Sequence, residues 1–377
     1  MEADAPGPPV LNSGTRASTW RGPIIDVDIH AVVPSLDSLT PYLDKVWIQH
    51  IAEREWTGPP TAIIYPPNLD ASARPEWRPG DGRLPATEVS MIQADLLDPL
   101  DIEYGILNCV YAIDGGPPDF SVAMARAVND WLIAEWLEAD SRLRASIVLP
   151  TRDDPAAIAA EIDRVGCHPG FVQALLPARS GGMYGKRLYW PVFEAIVRND
   201  LVAGIHWGGS NNGLPSTPSG WPSTYIEEYV SEVQVFESQL ISLLAEGTFQ
   251  RFPELRVSFL EIGFTWVPMW MWDLDRNWKG MRREVPWLKR PPFEIMREHV
   301  RFSTAPLDAP SAEELAPVIE WLGPQNLLLF ATDYPHMHDD DLVTLLGALP
   351  EDKHAQVMAE SAREWYRLGP ATRESDV

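Results

Sequence analysis

An acid and an imidazole lie two residues apart at the end of an apolar stretch near the start of the chain. The stretch 24–30 reads IIDVDIH and predicts a short strand whose last residues include Asp28 and His30. A carboxylate and an imidazole on one wall are half of a divalent-metal site. The motif D-x-H alone is equally consistent with ordinary solvent-facing polar residues, so the other ligands must come from elsewhere in the chain.

Strand alternation decides which side chains share the wall with these two residues. A regular strand places Asp28 and His30 on one face together with Asp26, and it places Val27 and Ile29 on the opposite face. We therefore expect Asp26 either to hydrogen-bond near the metal ligands or to take a buried structural hydrogen bond.

Three more groups that can bind a metal or move a proton occur at the ends of later apolar stretches. Chain positions this far apart meet only if the fold brings their strand ends to one edge. Glycines around the first of them would let the backbone approach a ligand closely. The groups are His206 at the end of 201–206, Glu261 near the end of 256–262 and Asp333 at the end of 326–333.

Eight strand-like stretches alternate with helical patterns along the chain. Continuous apolar runs are typical of strands buried on both faces, as in a parallel sheet. The alternation predicts an α/β protein with one (β/α)8 TIM barrel, and an open doubly wound sheet is the alternative. The helical pattern 264–279 leads directly to the seventh stretch. The predicted strands are 24–30, 104–110, 144–150, 170–177, 201–206, 256–262, 299–304 and 326–333.

The domain organisation follows from this pattern. We expect a flexible leader over 1–22, one barrel over 23–370 and a flexible tail over 371–377. Residues 54–86 are rich in Pro, Gly, Arg and Trp, which predicts a loop insertion after the first strand, near the barrel mouth. Arg74 lies in this insertion and is a candidate clamp for a substrate carboxylate.

Composition excludes several classes of function. A net charge of −24 disfavours nucleic acid, because a polyanion would be repelled. Two cysteines make neither a disulfide framework nor a cysteine-based zinc site. The absence of a long apolar run predicts no membrane span, and the leader lacks the apolar core of a signal peptide, so we expect a cytoplasmic protein.

Four motifs resemble those of one family, the amidohydrolase-related proteins of the aminocarboxymuconate-semialdehyde decarboxylase type. The resemblance implies a (β/α)8 barrel with one divalent metal, Zn or Mn, bound by Asp28, His30, His206 and Asp333. It also implies nonoxidative decarboxylation, hydration or hydrolysis of small substrates, and a possible homodimer. The motifs are D-V-D-I-H (26–30), G-I-H-W-G-G (204–209), L-E-I-G-F-T-W-V-P (260–268) and F-A-T-D-Y-P-H (330–336).

The chain departs from the family pattern at two positions. Asp28 stands where many relatives carry His or Glu, which shifts the site toward harder metals. Glu261 stands where the decarboxylases carry a His at the end of strand 6, and a carboxylate can act as a base but cannot supply a cationic donor. No Lys lies at the end of strand 4, which argues against a carbamate-bridged binuclear site.

Three functions remain open from the sequence. The first is a carboxy-lyase for a small aromatic or muconate-type acid, in which a strand-end acid such as Asp333 handles the proton. The second is a hydrolase or hydratase with Glu261 or Asp333 as general base, and the third is a non-catalytic barrel that binds a small ligand. The candidate catalytic residues are Asp333, Glu261 and His206, and the candidate substrate-binding residues are Trp207, Arg74 and His336.

Overall fold

Eight parallel strands form one sheet in which each strand pairs with its neighbours in the sequence. The computed structural model describes residues 20–59, 72–111, 117–150, 154–208, 215–323, 325–338 and 342–370. The strands are β1 (Ile24–Ile29), β2 (Ile102–Leu107), β3 (Leu143–Ile147), β4 (Phe171–Pro177), β5 (Val202–His206), β6 (Val257–Leu260), β7 (Val300–Ser303) and β8 (Leu328–Leu329).

Hydrogen bonds between the first and last strands close this sheet into a barrel. The N–H of Val27 donates to the carbonyl of Phe330 at 3.0 Å, and the N–H of His30 donates to the carbonyl of Tyr334 at 2.8 Å. A parallel bridge between Ile29 and Tyr334 continues the seam beyond β8. The predicted (β/α)8 barrel is therefore confirmed, and the open sheet is wrong.

Helices pack around the strands through their apolar faces. One helix that the sequence pattern does not predict is present: Pro292–His299 lies between the pattern 264–279 and β7, and its eight residues are shorter than the window over which a helical period is recognised. The α-helices are α1 (Lys45–Glu53), α2 (Val89–Ile92), α3 (Pro118–Leu132), α4 (Pro155–Val165), α5 (Trp190–Arg198), α6 (Tyr225–Ala245), α7 (Thr248–Arg251), α8 (Val267–Met281), α9 (Pro292–His299), α10 (Ala312–Leu322), α11 (Leu342–Ala348) and α12 (Ser361–Trp365).

Strand β1 does not alternate regularly. The pairing of β1 with β2 shifts register between Asp26 and Ile29. Val27 belongs to the core cluster that contains Trp365, whereas Ile29 belongs to the larger cluster between strands and helices. The prediction that Val27 and Ile29 share a face is therefore wrong, because an irregularity in the strand changes the phase of the alternation.

The C-terminal end of the described chain packs under the barrel interior. Trp365 and Tyr366 are buried against Ile25, Val27 and other inward-facing strand residues. We call this end of the barrel, opposite the carboxyl ends of the strands, the floor. The site described below lies at the other end, where active sites of such barrels are found.

The predicted domain boundaries are only partly within the described residues. The leader before residue 20, the tail 371–377 and residues 60–71 of the predicted insertion lie outside them. The described end of the insertion contacts the seam: Ala73 bridges His336, and the N–H of Arg74 donates to the carbonyl of Pro335 at 3.0 Å. Among the described helices, none is long and apolar enough to cross a membrane.

Two glycines allow the packing of α6 to be tested. A Cβ at Gly185 would lie 2.1 Å from the carbonyl oxygen of Ser242, a main-chain atom that cannot move aside. We expect Gly185→Ala to lower the free energy of unfolding by about 1–3 kcal/mol. Gly280 in α8 has no atom within 4 Å of that position, so Gly280→Ala, the control, should change it by less than about 1 kcal/mol. Equal changes in the free energy of unfolding of the two variants, measured by urea denaturation, would contradict the close packing of Gly185 against Ser242.

Candidate active site

Three predicted metal ligands meet at the carboxyl ends of β1 and β5. Asp28, His30 and His206 are almost completely buried, and one ligand atom from each lies within 4.8 Å of the others. The Nε2 atom of His206 is 3.3 Å from Oδ1 of Asp28, and Nε2 of His30 is 4.0 Å from the same oxygen.

The fourth predicted ligand, Asp333, follows β8 and reaches the same place. Its Oδ1 lies 2.8 Å from Nε2 of His30. Asp333 has a φ of 54°, in the left-handed region that residues other than glycine rarely adopt. Barrel closure thus places Asp333 next to His30, which itself belongs to the cluster with Asp28 and His206.

Main-chain carbonyls fix which nitrogen of each histidine faces the site. The Nδ1–H of His30 donates to the carbonyl of Asn108 at 3.0 Å, and the Nδ1–H of His206 donates to the carbonyl of Trp207 at 2.7 Å. Because a carbonyl only accepts, both Nδ1 atoms carry the proton in the neutral rings. Both Nε2 atoms then offer a lone pair toward Asp28, as metal-binding histidines do.

This donor set fits a divalent ion. Oδ2 of Asp28 is buried and has no hydrogen-bond partner among the described residues, which is costly unless a cation binds it. Metal–ligand bonds of about 2 Å place two ligand atoms at most about 4 Å apart, so a contraction of less than about 1 Å would suffice for Asp28, His30 and His206. Two imidazoles and two carboxylates suit Zn²⁺ or Mn²⁺.

Asp333 is also contacted by histidines from its own loop. His336 places Nδ1 at 3.2 Å from Oδ1 of Asp333, and His338 places Nε2 at 2.5 Å from Oδ2. Burial alone would raise the pKa of Asp333, but the charge and hydrogen bonds of the neighbouring histidines outweigh burial and hold that pKa well below its usual range. In the sequence His338 precedes three aspartates, which favours a solvated cap at a helix N-terminus, but the side chain contacts Asp333 instead, so that interpretation is wrong.

Glu261 lies beside this set at the end of β6. It is 8% exposed, has a φ of 55°, and its Oε2 is 3.5 Å from Nδ1 of His206. Within the part of the chain that the structure describes, nothing donates a hydrogen bond to its carboxylate. Burial raises the pKa of Glu261 well above its usual value, and the negative charges of Asp333 and Asp28 add to the effect.

The three predicted substrate-binding residues have different surroundings. The ring of Trp207 is half-buried, 6.4 Å from the ring of Tyr229, and its buried Nε1 has no hydrogen-bond partner among the described residues. The ring of His336 is 4.6 Å from that of His30. Arg74 is buried, lies over the ring of Trp77 at 5.1 Å and donates to the carbonyl of His338 at 3.2 Å.

Asn108 is the site residue that sequence reasoning missed. Its Nδ2 donates to Oδ1 of Asp28 at 2.7 Å, while its main-chain carbonyl accepts from His30. It directly follows β2, so the search of strand ends that found His206 could have found it too. Asn108 was not predicted because its amide is neutral, whereas the residues predicted at the strand ends are all ionisable.

The chain belongs to the amidohydrolase family. The family model described as "Amidohydrolase" matches residues 25–368, nearly the whole barrel. No curated protein sequence matches the chain.

Solved structures with the same fold share little sequence with it. An amidohydrolase from Mycobacterium avium subsp. paratuberculosis is 19% identical, with a TM-score of 0.70 over 94% of this chain and 100% of that one. The 5-carboxyvanillate decarboxylase of Sphingomonas paucimobilis is 20% identical, with a TM-score of 0.63 over 92% and 99%. A dihydroxybenzoic acid decarboxylase from Polaromonas, solved with manganese and the inhibitor 2-nitroresorcinol, is 20% identical, with a TM-score of 0.64 over 92% and 98%. At this identity the likeness establishes the fold.

The ligand set can be tested by metal binding alone. We expect His206→Ala to weaken Zn²⁺ or Mn²⁺ binding by more than about 100-fold, beyond the 10- to 100-fold typical of losing an outer partner of a ligand. Competition with a chromophoric chelator measures this affinity. His354→Ala is the control, because His354 hydrogen-bonds the carbonyl of Leu346 away from the site. Unchanged affinity in the His206 variant would remove it from the ligand set.

Proposed function

We propose that the protein is a metal-dependent carboxy-lyase that decarboxylates a small aromatic carboxylic acid without oxidation. The observation that carries the proposal is the convergence of Asp28, His30, His206 and Asp333 at the mouth of a closed barrel. The names of the structural relatives, a 5-carboxyvanillate decarboxylase and a dihydroxybenzoic acid decarboxylase, support an aromatic acid as substrate. A cytoplasmic homodimer stays a prediction from the sequence.

The four ligands would hold one divalent ion, Zn or Mn. When bound, the ion supplies Lewis-acid polarisation of substrate oxygens and holds the acid in one orientation. The residues around it maintain that orientation: the carbonyls of Asn108 and Trp207 fix the rings of His30 and His206. The manganese in the Polaromonas relative favours Mn.

The proton of the reaction is best assigned to Glu261. As the bond between ring carbon and carboxylate breaks, CO2 leaves and the electron pair stays on the ring carbon, which must then receive a proton. Both oxygens of Asp333 are contacted by histidines, whereas no described residue donates a hydrogen bond to Glu261. Glu261 is therefore free to deliver the proton and to regain it from water. Asp333 then serves as a ligand.

Aromatic side chains would enclose the substrate ring. Trp207 follows directly after a predicted metal ligand, and its Nε1–H, which has no partner among the described residues, would donate to a substrate oxygen. His336 lies edge-on to the ring of His30 on the other side of the site. The guanidinium of Arg74 donates to the carbonyl of His338. We therefore propose that Arg74 holds the loop of His338 in place and also binds the substrate carboxylate.

One observation favours a second candidate, a hydrolase. Glu261 stands where the resembling decarboxylases carry a histidine, and an ionised carboxylate beside the ligands is a suitable base for activating water. The same residue would then accept a proton in the first step. Substrate cleavage separates the two functions, because only the lyase releases CO2.

Assays with aromatic acids test the lyase directly. We expect the Mn²⁺- or Zn²⁺-loaded protein to release CO2 from 2,6-dihydroxybenzoate or 5-carboxyvanillate, and Asp333→Asn to release none while its circular dichroism stays unchanged. Cleavage of aryl amides or esters without CO2 would favour the hydrolase. A metal content below about 0.2 equivalents after gentle purification would count against both, since strong sites retain their ion.

The role of Glu261 has its own test. We expect Glu261→Gln to lower kcat by about 10²- to 10⁴-fold, the usual contribution of a general acid, with little change in metal affinity. Glu261→Asp should restore part of the rate because it keeps an ionisable group. If the Gln variant kept full kcat, the proton would have to come from another group.

A further inference from the structure

A chain of buried polar side chains runs through the barrel interior from the floor to the metal site. Its members come from four strands or strand ends and from the C-terminal segment. All are buried, and they cross a region whose other members are mainly aliphatic, including Ile25, Val27 and Leu260. Barrel interiors are normally filled by branched apolar side chains. The members are Asn108, Ser146, Gln173, Ser258, Trp365 and Tyr366.

The upper part of the chain has its direction fixed by Asn108. Its Nδ2 lies 2.7 Å from Oδ1 of Asp28 and 3.2 Å from the carbonyl of Val27, and both of these only accept. The amide must therefore point its NH2 group at Asp28 and its oxygen away from it. That oxygen accepts from the hydroxyl of Ser146 at 2.6 Å and from Nε2 of Gln173 at 3.2 Å.

The lower part of the chain has the same direction. Because Nε2 of Gln173 faces Ser146 and Asn108, its Oε1 faces Tyr366, whose hydroxyl donates to it at 2.9 Å. The indole N–H of Trp365 can only donate, and it does so to Ser258 at 3.0 Å. The Ser258 hydroxyl is then left to donate to the Tyr366 oxygen, 3.1 Å away. Every donor along the chain therefore points toward Asp28.

The direction of these hydrogen bonds determines how the Asp28 carboxylate is presented to a metal ion. Its Oδ1 is occupied by the Asn108 amide, whereas its Oδ2 has no partner among the described residues. The amide uses one lone pair of Oδ1, which also lies 3.3 Å from Nε2 of His206, and so it holds the carboxylate in one orientation toward the histidines. Asn108 also receives the Nδ1–H of His30, so one residue orients two ligands.

We propose that this chain sets the metal affinity of the site, with Gln173 and Tyr366 as positioning residues that act through Asn108. If Tyr366 did not donate to Gln173, Oε1 of Gln173 would lose this donor, and the contacts with Ser146 and Asn108 would have to hold the amide. A less firmly held Gln173 would weaken its 3.2 Å contact with Oδ1 of Asn108, and with it the position of the Asn108 amide against Asp28. The inference goes beyond the proposed reaction, because metal binding is measured without any substrate.

The decisive variants keep the shape of each side chain. Asn108→Asp replaces the donor facing Asp28 with an acceptor, and we expect metal affinity to fall by about 10- to 100-fold. Tyr366→Phe removes one hydroxyl at the floor, and we expect a fall of about 2- to 10-fold. In the double variant the two losses of metal affinity should not add, because Tyr366 acts on the metal ligands only through Asn108.

Tyr184→Phe is the matched control. Tyr184 is equally buried, and its hydroxyl donates to the carbonyl of Pro177 at 2.8 Å, outside the chain. It should leave the metal affinity unchanged even if it lowers stability. Affinity is measured by competition with a chelator, and the visible absorption of the Co²⁺-loaded protein reports the ligand geometry.

The outcomes separate this inference from the proposed function. Weaker metal binding and an altered Co²⁺ spectrum in Tyr366→Phe, with neither in Tyr184→Phe, would support it. Equal affinity in Tyr366→Phe and wild type would overturn it, whatever the stability, and this test stands even if Asn108→Asp fails to fold. A wild-type protein that binds no metal would overturn both, whereas a metal-binding protein that releases no CO2 would overturn only the proposed function.

Discussion

The seam between the first and last strands is the contact on which the rest of the structure depends. The carboxylate of Asp26 accepts hydrogen bonds from the hydroxyl of Thr332 at 2.6 Å and from its N–H at 3.1 Å, across 306 positions of sequence. Two residues after Asp26 comes Asp28, and one residue after Thr332 comes Asp333. A single buried carboxylate thus fixes the spacing of two ligands by holding the main chain beneath them.

Strain at the mouth of the barrel is sustained by the same closure. Glu261 and Asp333 both occupy the left-handed region, at a cost of order 1–3 kcal/mol each. Such conformations persist only when their surroundings determine them, and here both acids follow buried strands that are paired on either side. These backbone conformations accompany the placement of the Glu261 and Asp333 carboxylates at the barrel mouth, where the two negative charges repel each other. A divalent ion among the ligands would relieve much of that repulsion.

The sequence was informative wherever a regular pattern repeats. The apolar runs predicted all eight strands, and the polar groups at their ends gave five candidate site residues, because parallel strands in a barrel end at one mouth. The family resemblance selected the four predicted ligands among them. Prediction failed where the sequence pattern is irregular or short, and where the important side chain carries no charge. The bulge in β1 depends on pairing with β2, α9 is too short for a helical period to be recognised, and His338 is placed by contacts that the sequence does not display. Asn108 carries no charge, so only its neighbours reveal its importance.

The position of the seam also determines at what stage of synthesis and folding the site can form. A chain emerging from the ribosome presents Asp28 and His30 first, but their partner Asp333 is synthesised some 300 residues later. The floor residues Trp365 and Tyr366 follow later still. Contacts this distant in sequence form late, because a long loop must be closed first. The cation therefore enters a finished polypeptide, and a nascent chain has no complete set of groups with which to compete for it.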